Sequence, residues 1–226
     1  MNARKSGYRP SMSRIFLEDQ LFRIINALDI EEHARCLNLG CGIEGRYADL
    51  LASFDVDGVD ILDSENNLQP WRYHQCDAKK LPFANELFDI CIAIESFEHI
   101  EDNLDAMREV CRTLKTGGVA IITTPTQWIW IYEFGKHGPH YCSREKLIKL
   151  AEDAGLKCCQ IAACGGFLFY VSGLLKSWTS PLGLRIFGRK WWILIDGLLL
   201  PLYAISRITD RFLPFPPSNW VLLAKK

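Results

Sequence analysis

Residues 36–51, C-L-N-L-G-C-G-I-E-G-R-Y-A-D-L-L, constrain the fold more than any other stretch: a short apolar run breaks into glycines and then turns helical. Leu37 and Leu39 read as the end of a buried strand. Gly40, Gly42 and Gly45 stand at G-x-G-x-x-G spacing, where glycine permits a tight turn and lets a ligand approach the backbone with no Cβ in the way. Residues 46–52 then read as a helix whose first N–H groups face that ligand. The run D-V-D-G-V-D at 55–60 reads as a second strand ending in an acid, and Asp60 falls twenty residues after Gly40. From that distance a carboxylate at a strand tip reaches the ribose hydroxyls of a nucleotide held by the first loop.

The remainder repeats the strand-then-helix rhythm. Phe16, Leu17, Leu21, Ile24, Ile25 and Leu28 recur at helical spacing, giving an amphipathic helix ahead of the first strand. Residues 73–76 read as a short third strand, followed by Asp77, Ala78 and an L-P-F turn. The run F-D-I-C-I-A-I at 88–94 is nearly continuous apolar sequence, as a central parallel strand covered on both faces requires. It ends in Glu95, Ser96, Phe97, Glu98 and His99, polar groups gathered where an open α/β sheet holds its ligand.

Next, Leu104, Met107, Cys111 and Leu114 mark a helix capped by Asp102 or Asn103 and ended by Gly117-Gly118. A fifth strand covers 119–123, and a loop with Trp128, Trp130, Tyr132, His137, His140 and Tyr141 follows. A helix capped by Ser143 and carrying Leu147, Leu150 and Ala151 precedes strands at 156–162 and 220–224. This alternation predicts a doubly wound α/β sheet.

Composition narrows the setting. The formal net charge is -1, but residues 165–226 carry eight Lys or Arg against two Asp, a net of +6 that leaves -7 for the rest. A basic, apolar quarter on an acidic body favours a membrane surface or an anionic amphiphile over nucleic acid. Nine cysteines, mostly inside apolar patterns and with no C-x-x-C pair, fit reduced thiols in a cytoplasmic protein. His137, His140 and Cys142 lie close in sequence, but no second cluster at ligand spacing completes a site, so no metal is expected. The first fourteen residues are basic and polar with no apolar run behind them, so no secretion signal is expected.

Spacing alone does not separate a dinucleotide-binding dehydrogenase from an S-adenosylmethionine (SAM) enzyme. The motifs L-N-L-G-C-G, V-D-G-V-D, C-D-A-K-K-L-P-F-A-N-E-L-F-D-I-C-I-A-I-E-S-F-E-H-I and L-K-T-G-G-V-A-I-I-T-T-P, in this order, resemble the class I SAM-dependent methyltransferases. The resemblance is to the small-molecule group (methyltransferase type 11) that includes the ubiquinone and menaquinone biosynthesis enzymes, and it covers about residues 35–163 plus the last strand.

The resemblance implies a Rossmann-like, doubly wound, seven-stranded sheet whose last strand is antiparallel, and it implies roles by position. Asn38, Gly40, Cys41, Gly42 and Gly45 would hold the methionine end of SAM, with Asn38 standing where the family more often has aspartate. Asp60 would take the ribose hydroxyls, Ile61 would lie against the adenine, and Asp77 with the Ala78 backbone would meet the adenine edge. Glu95 and Phe97 would line the pocket floor near the sulfonium.

A hydroxyl acceptor would also need a base. His99 at the strand end and His140 in the aromatic loop are the candidates, beside a helix-start or packing role for each. Four segments are expected: a basic arm at 1–14, the SAM-binding core at 15–164, an apolar and basic helical insert at 165–217, and the last core strand at 218–226. Asp196, Gly197 and Pro201 interrupt the insert's longest apolar run, so it reads as a membrane-surface element, a lid over the sheet or a dimer contact rather than a span. The function that follows is methyl transfer, at oxygen, to a small lipophilic or lipid-linked acceptor, by a cytoplasmic protein docked at the inner membrane face. A silent SAM-binding protein and a nicotinamide-dependent oxidoreductase are the alternatives.

Overall fold

The computed structural model describes residues 12–43, 46–63, 70–126, 143–209 and 217–226. Seven strands form one sheet in the order β3-β2-β1-β4-β5-β7-β6. They are β1 (Arg35–Leu39), β2 (Asp55–Asp60), β3 (Arg72–Gln75), β4 (Phe88–Ile94), β5 (Leu114–Pro125), β6 (Lys157–Cys164) and β7 (Asn219–Lys225). β7 runs antiparallel to both neighbours, while β1 to β5 pair in parallel. The doubly wound sheet with an antiparallel last strand is therefore present.

Alternation along the central strands feeds two cores. Leu37, Leu39, Cys91 and Ala93 pack on one face with Met107 and Val110 of α2 (Asn103–Thr113) and with Leu147 and Leu150 of α3 (Arg144–Asp153). Cys36, Ile90, Ile92 and Ile121 pack on the other with Leu17, Leu21 and Ile25 of α1 (Met12–Ala27). β1 and β4 are thus covered on both faces, as their largely apolar runs require. Ser143 caps α3, its Oγ accepting the Lys146 N–H at 3.2 Å, and Gly155 follows that helix at φ 93°.

Two expectations need correction. Residues 46–52 form turns rather than a helix, because Tyr47 sits in the left-handed region at φ 66° and interrupts the helical backbone. The helix over 103–113 stops at Thr113, and Leu114 opens β5. Gly117, at φ 83°, lies in an irregular stretch where pairing jumps from Phe88 with Leu114 to Ile90 with Val119. The apolar 165–217 stretch contributes two helices, α4 (Phe167–Phe187) and α5 (Trp191–Thr209), joined by a single 3₁₀ turn.

Asp57 supplies a feature that residue patterns did not indicate. Its buried carboxylate accepts from Arg35 Nη2 at 2.7 Å and Arg72 Nε at 2.8 Å, and it lies 2.9 Å from His74 Nε2. His74 meets Phe83 edge-on, Phe83 meets Phe88, and the Arg35 guanidinium covers the Phe88 ring. Burial alone would raise the carboxyl, but the hydrogen bonds from Arg72, His74 and Arg35 outweigh it and hold the group well below the usual carboxylate range. The folded chain therefore resists protonating Asp57 more than the unfolded chain does. Stability from this group is complete above the ordinary aspartate value near ~3.9 and is lost as pH falls through the depressed folded value.

Urea unfolding is expected to show a midpoint that falls as pH is lowered from about 5 to about 3. Asp57→Asn should cost about 2–3 kcal/mol at neutral pH and flatten that acid limb. A variant with unchanged stability would remove Asp57 from the account of acid sensitivity.

Candidate active site

Strand order reverses between β1 and β4, the place where open α/β sheets bind ligands beyond their carboxyl ends. A cavity of about 390 Å³ opens there, within the range of about 300–1,000 Å³ usual for small-molecule sites. Gly40, Asp60, Ile61, Asp77, Ala78 and Glu95 line it together with His99.

The glycine loop is shaped by two contacts. Gly40 and Cys41 both donate their N–H to the Val59 carbonyl, at 2.8 and 3.1 Å, so the chain turns tightly off β1 while still tied to β2. Gly40 has φ 70°, and a Cβ there would sit 2.3 Å from the Ser96 Cβ at the end of β4. Glycine is therefore demanded twice, by backbone angle and by the closeness of β4. Gly42, at φ 62°, donates its N–H to Asp60 Oδ2 at 2.7 Å, and the space where its Cβ would stand is open.

Asp60 is the hinge of the site. Its other oxygen accepts the Leu62 N–H at 3.1 Å, so one carboxylate holds the loops that follow β1 and β2. Ile61 is 71% exposed, an apolar side chain on the cavity wall that a flat ligand would cover. Asp77 accepts the Lys79 N–H at 2.9 Å, which fixes the turn that presents Ala78 to the cavity.

Glu95 stands at φ 49°, an uncommon backbone state for a residue with a side chain. Two groups of β5 hold its N–H, the Thr123 carbonyl at 3.1 Å and Thr123 Oγ1 at 3.0 Å. Asn219 Nδ2 donates to its Oε1 at 3.0 Å. Such strain costs of order 1–3 kcal/mol and survives where surroundings over-determine it. Asn219, 124 positions away, gives no local signal that reading for motifs could have found. Ser96 was legible as part of the polar strand end, but its steric role against Gly40 was not.

The other expected residues are placed differently. Phe97, expected on the pocket floor, opens a 3₁₀ turn and is 1% exposed among Met107 and Leu147 in the core, leaving Ser96 to line the cavity. Asn38 is buried within β1 and Cys41 lies beneath the loop, and neither lines the cavity. Burial and then the Asp60 charge push the Cys41 thiol up to about 12, which keeps it protonated at neutral pH. His99 lies on the cavity wall with its side chain 53% exposed. Gly45, His140 and the neighbouring His137, Tyr141 and Cys142 lie outside the described residues.

Residues 37–122 match a family model described as a methyltransferase domain. The core of this chain is thus similar to methyltransferase domains. It is 32% identical over 112 residues to a sterol 4-C-methyltransferase of Caenorhabditis elegans, a match covering 44% of this chain and 33% of that protein. Over 100 residues it is 33% identical to the ubiquinone/menaquinone biosynthesis C-methyltransferase of Xylella fastidiosa (41% and 40% covered). Over 115 residues it is 30% identical to a fatty-acid O-methyltransferase of Mycolicibacterium smegmatis (46% and 42%).

A solved S-adenosylmethionine-dependent methyltransferase from Mesorhizobium loti superposes with a TM-score of 0.59 at 17% identity, covering 92% of this chain and 97% of that one, which shows a shared fold. The matched stretch spans well under half the length of the curated relatives, 33%, 39% and 42% of the first three.

S-adenosyl-L-methionine is the cofactor of this domain, and the residues present fit it. The open space over Gly42, the Asp60 carboxylate on the cavity wall and the exposed Ile61 offer a close backbone approach, an acceptor for hydroxyls and an apolar face. The two loop glycines are expected to separate under substitution. Gly40→Ala should lower stability by about 1–3 kcal/mol and abolish SAM binding, since strain and the Ser96 contact both act. Gly42→Ala, strained at φ 62° but free of any clash, should cost less stability, about 1 kcal/mol, and should weaken SAM binding because its new methyl enters the open space. Thermal melts with calorimetric SAM titration check both, and equal effects would contradict the Ser96 contact.

Proposed function

We propose that this chain is a SAM-dependent methyltransferase that transfers a methyl group to a small lipophilic or lipid-linked acceptor, at oxygen, working in the cytoplasm at the inner membrane face. The observation that carries this reading is the convergence of Gly40, Asp60, Asp77 and Glu95 on one cavity beyond the switch between β1 and β4. When bound, S-adenosylmethionine supplies a methyl already activated on a sulfonium, so the protein's main contribution is alignment, which is able to supply roughly 7–11 kcal/mol of a barrier.

Within this reading Asp60 takes the ribose hydroxyls while still holding the Gly42 and Leu62 N–H groups. Ile61 covers the adenine, and Asp77 with the Ala78 backbone meets the adenine edge. Glu95, fixed by Asn219 and Thr123, meets the methionine end. His99 stands on the cavity wall, where it takes the proton from an acceptor hydroxyl as the methyl's bond to oxygen forms, its bond to sulfur breaks and the neutral thioether leaves. The sterol, fatty-acid and quinone acceptors in the names of the relatives support a lipophilic acceptor, and the fatty-acid O-methyltransferase supports oxygen.

Calorimetric titration is expected to give SAM binding and no NADH binding. Asp60→Ala should weaken SAM at least tenfold, since a hydrogen bond to a charged group contributes about 1.5–3 kcal/mol. His99→Ala should lower methyl transfer to a hydroxylated lipid by about a hundredfold or more while leaving SAM affinity intact. Undiminished turnover in that variant would dismiss His99 as the base.

A further inference from the structure

The hairpin of α4 and α5 buries a narrow seam and leaves a broad apolar surface outside. Trp191, Ile195 and Leu199 form its interior. Gly183 leaves room for the Trp191 indole, whose ring would lie 2.1 Å from a Cβ at that position, and Phe187 stacks on Trp191 at 5.9 Å. Farther along, Lys176 Nζ meets Asp196 Oδ1 at 2.6 Å. These pairings run in opposite directions along the two helices, so the hairpin is antiparallel.

Outside the seam, Leu175, Trp178, Leu182 and Ile186 recur at three- and four-residue steps on α4, and Leu194 and Leu198 do so on α5. All six are exposed, Trp178 at 71% and Leu198 at 65%. At 100° per residue both stripes are rotated from their buried seams in the same sense. In an antiparallel pair that places them on the same side of the hairpin, forming one contiguous apolar face.

Charge identifies what covers that face. Arg185 in the last turn of α4 and Lys190 in the connecting turn are both exposed beside it, and residues 165–226 carry a net +6 against -7 elsewhere. A second copy would bring the same basic element against itself, which repulsion opposes. No helix among the described residues is long and apolar enough to cross a membrane. An apolar face of this kind, edged by cations, fits the headgroup and acyl boundary of an anionic bilayer.

We propose that the α4–α5 hairpin docks this chain flat on an anionic bilayer surface, with the Trp178, Leu182 and Ile186 side inserted and Arg185 and Lys190 at the lipid phosphates. This deepens the membrane-face reading given above, and it is measured without cofactor or turnover, so its failure leaves the proposed chemistry standing.

The test is co-sedimentation of the full chain with vesicles of phosphatidylcholine alone or mixed with phosphatidylglycerol. Pelleting with the mixed vesicles, weakened by salt and poor on phosphatidylcholine alone, is expected. The double variant Leu182→Asp, Ile186→Asp should reduce the bound fraction at least tenfold with SAM affinity and melting temperature unchanged. Arg185→Glu should reduce binding several-fold on mixed vesicles only. Absence of pelleting on mixed vesicles, equal pelleting on both vesicle types, or undiminished binding by the double variant would overturn the proposal. So would a dimer of the parent chain that the double variant converts to monomer while neither form pellets, since the face would then belong to a second copy.

Discussion

The approach of Gly40 to Ser96 is the constraint on which the site depends. β1 and β4 are adjacent in the sheet but are not consecutive in the chain, so their carboxyl ends diverge into loops that leave in different directions. The cavity exists because those ends stay close at the base while the loops separate above. Any residue with a Cβ at position 40 would collide with Ser96, and φ 70° would strain it as well. Asp60 completes the arrangement by holding the Gly42 N–H from one loop and the Leu62 N–H from the next. One carboxylate thereby sets the relative position of both, before any ligand contributes.

The central sheet was legible because burial on both faces writes itself into sequence. The run from Phe88 to Ile94 has no other economical reading, and β2 was legible to the residue because an acid ends it and a glycine-rich loop precedes it. The distance from Gly40 to Asp60 carried the same information about the cavity, since loop, turn and strand lengths leave little freedom in where that carboxylate arrives. Phe97 was misjudged for a related reason. Position at a strand end predicts proximity to the cavity, but a 3₁₀ turn rotates successive side chains apart, and an aromatic ring in that turn finds the core.

What was not legible depends on backbone angles or long-range pairing. Nothing in R-Y-A-D-L-L announces that Tyr47 takes φ 66°, so periodicity suggested a helix where the chain makes turns. The Asp57 cluster draws Arg35 from β1 and Arg72 and His74 from β3, the strands on either side of it, and only register brings them together. Asn219 is a further case. Its bond to Glu95 spans 124 positions, and an asparagine opening a terminal strand carries no distinguishing mark.

Asn219 also explains how a long insert coexists with a precisely ordered site. Cys164 and Asn219 are register partners at the adjacent ends of β6 and β7, so the intervening segment leaves and returns at one point and costs the sheet little closure entropy. That point is reinforced on the insert side, where the buried Tyr170 hydroxyl and Thr126 Oγ1 both donate to the Pro217 carbonyl at 3.0 and 2.7 Å. Ser218 Oγ donates to the Cys164 carbonyl at 2.8 Å. The next residue is Asn219, whose side chain reaches Glu95. The root of the hairpin and the support of a cavity-lining carboxylate are therefore consecutive residues leading into β7. The hairpin's root is thereby fastened to the ends of β5 and β6 one residue away from the side chain that holds Glu95 in the cavity wall.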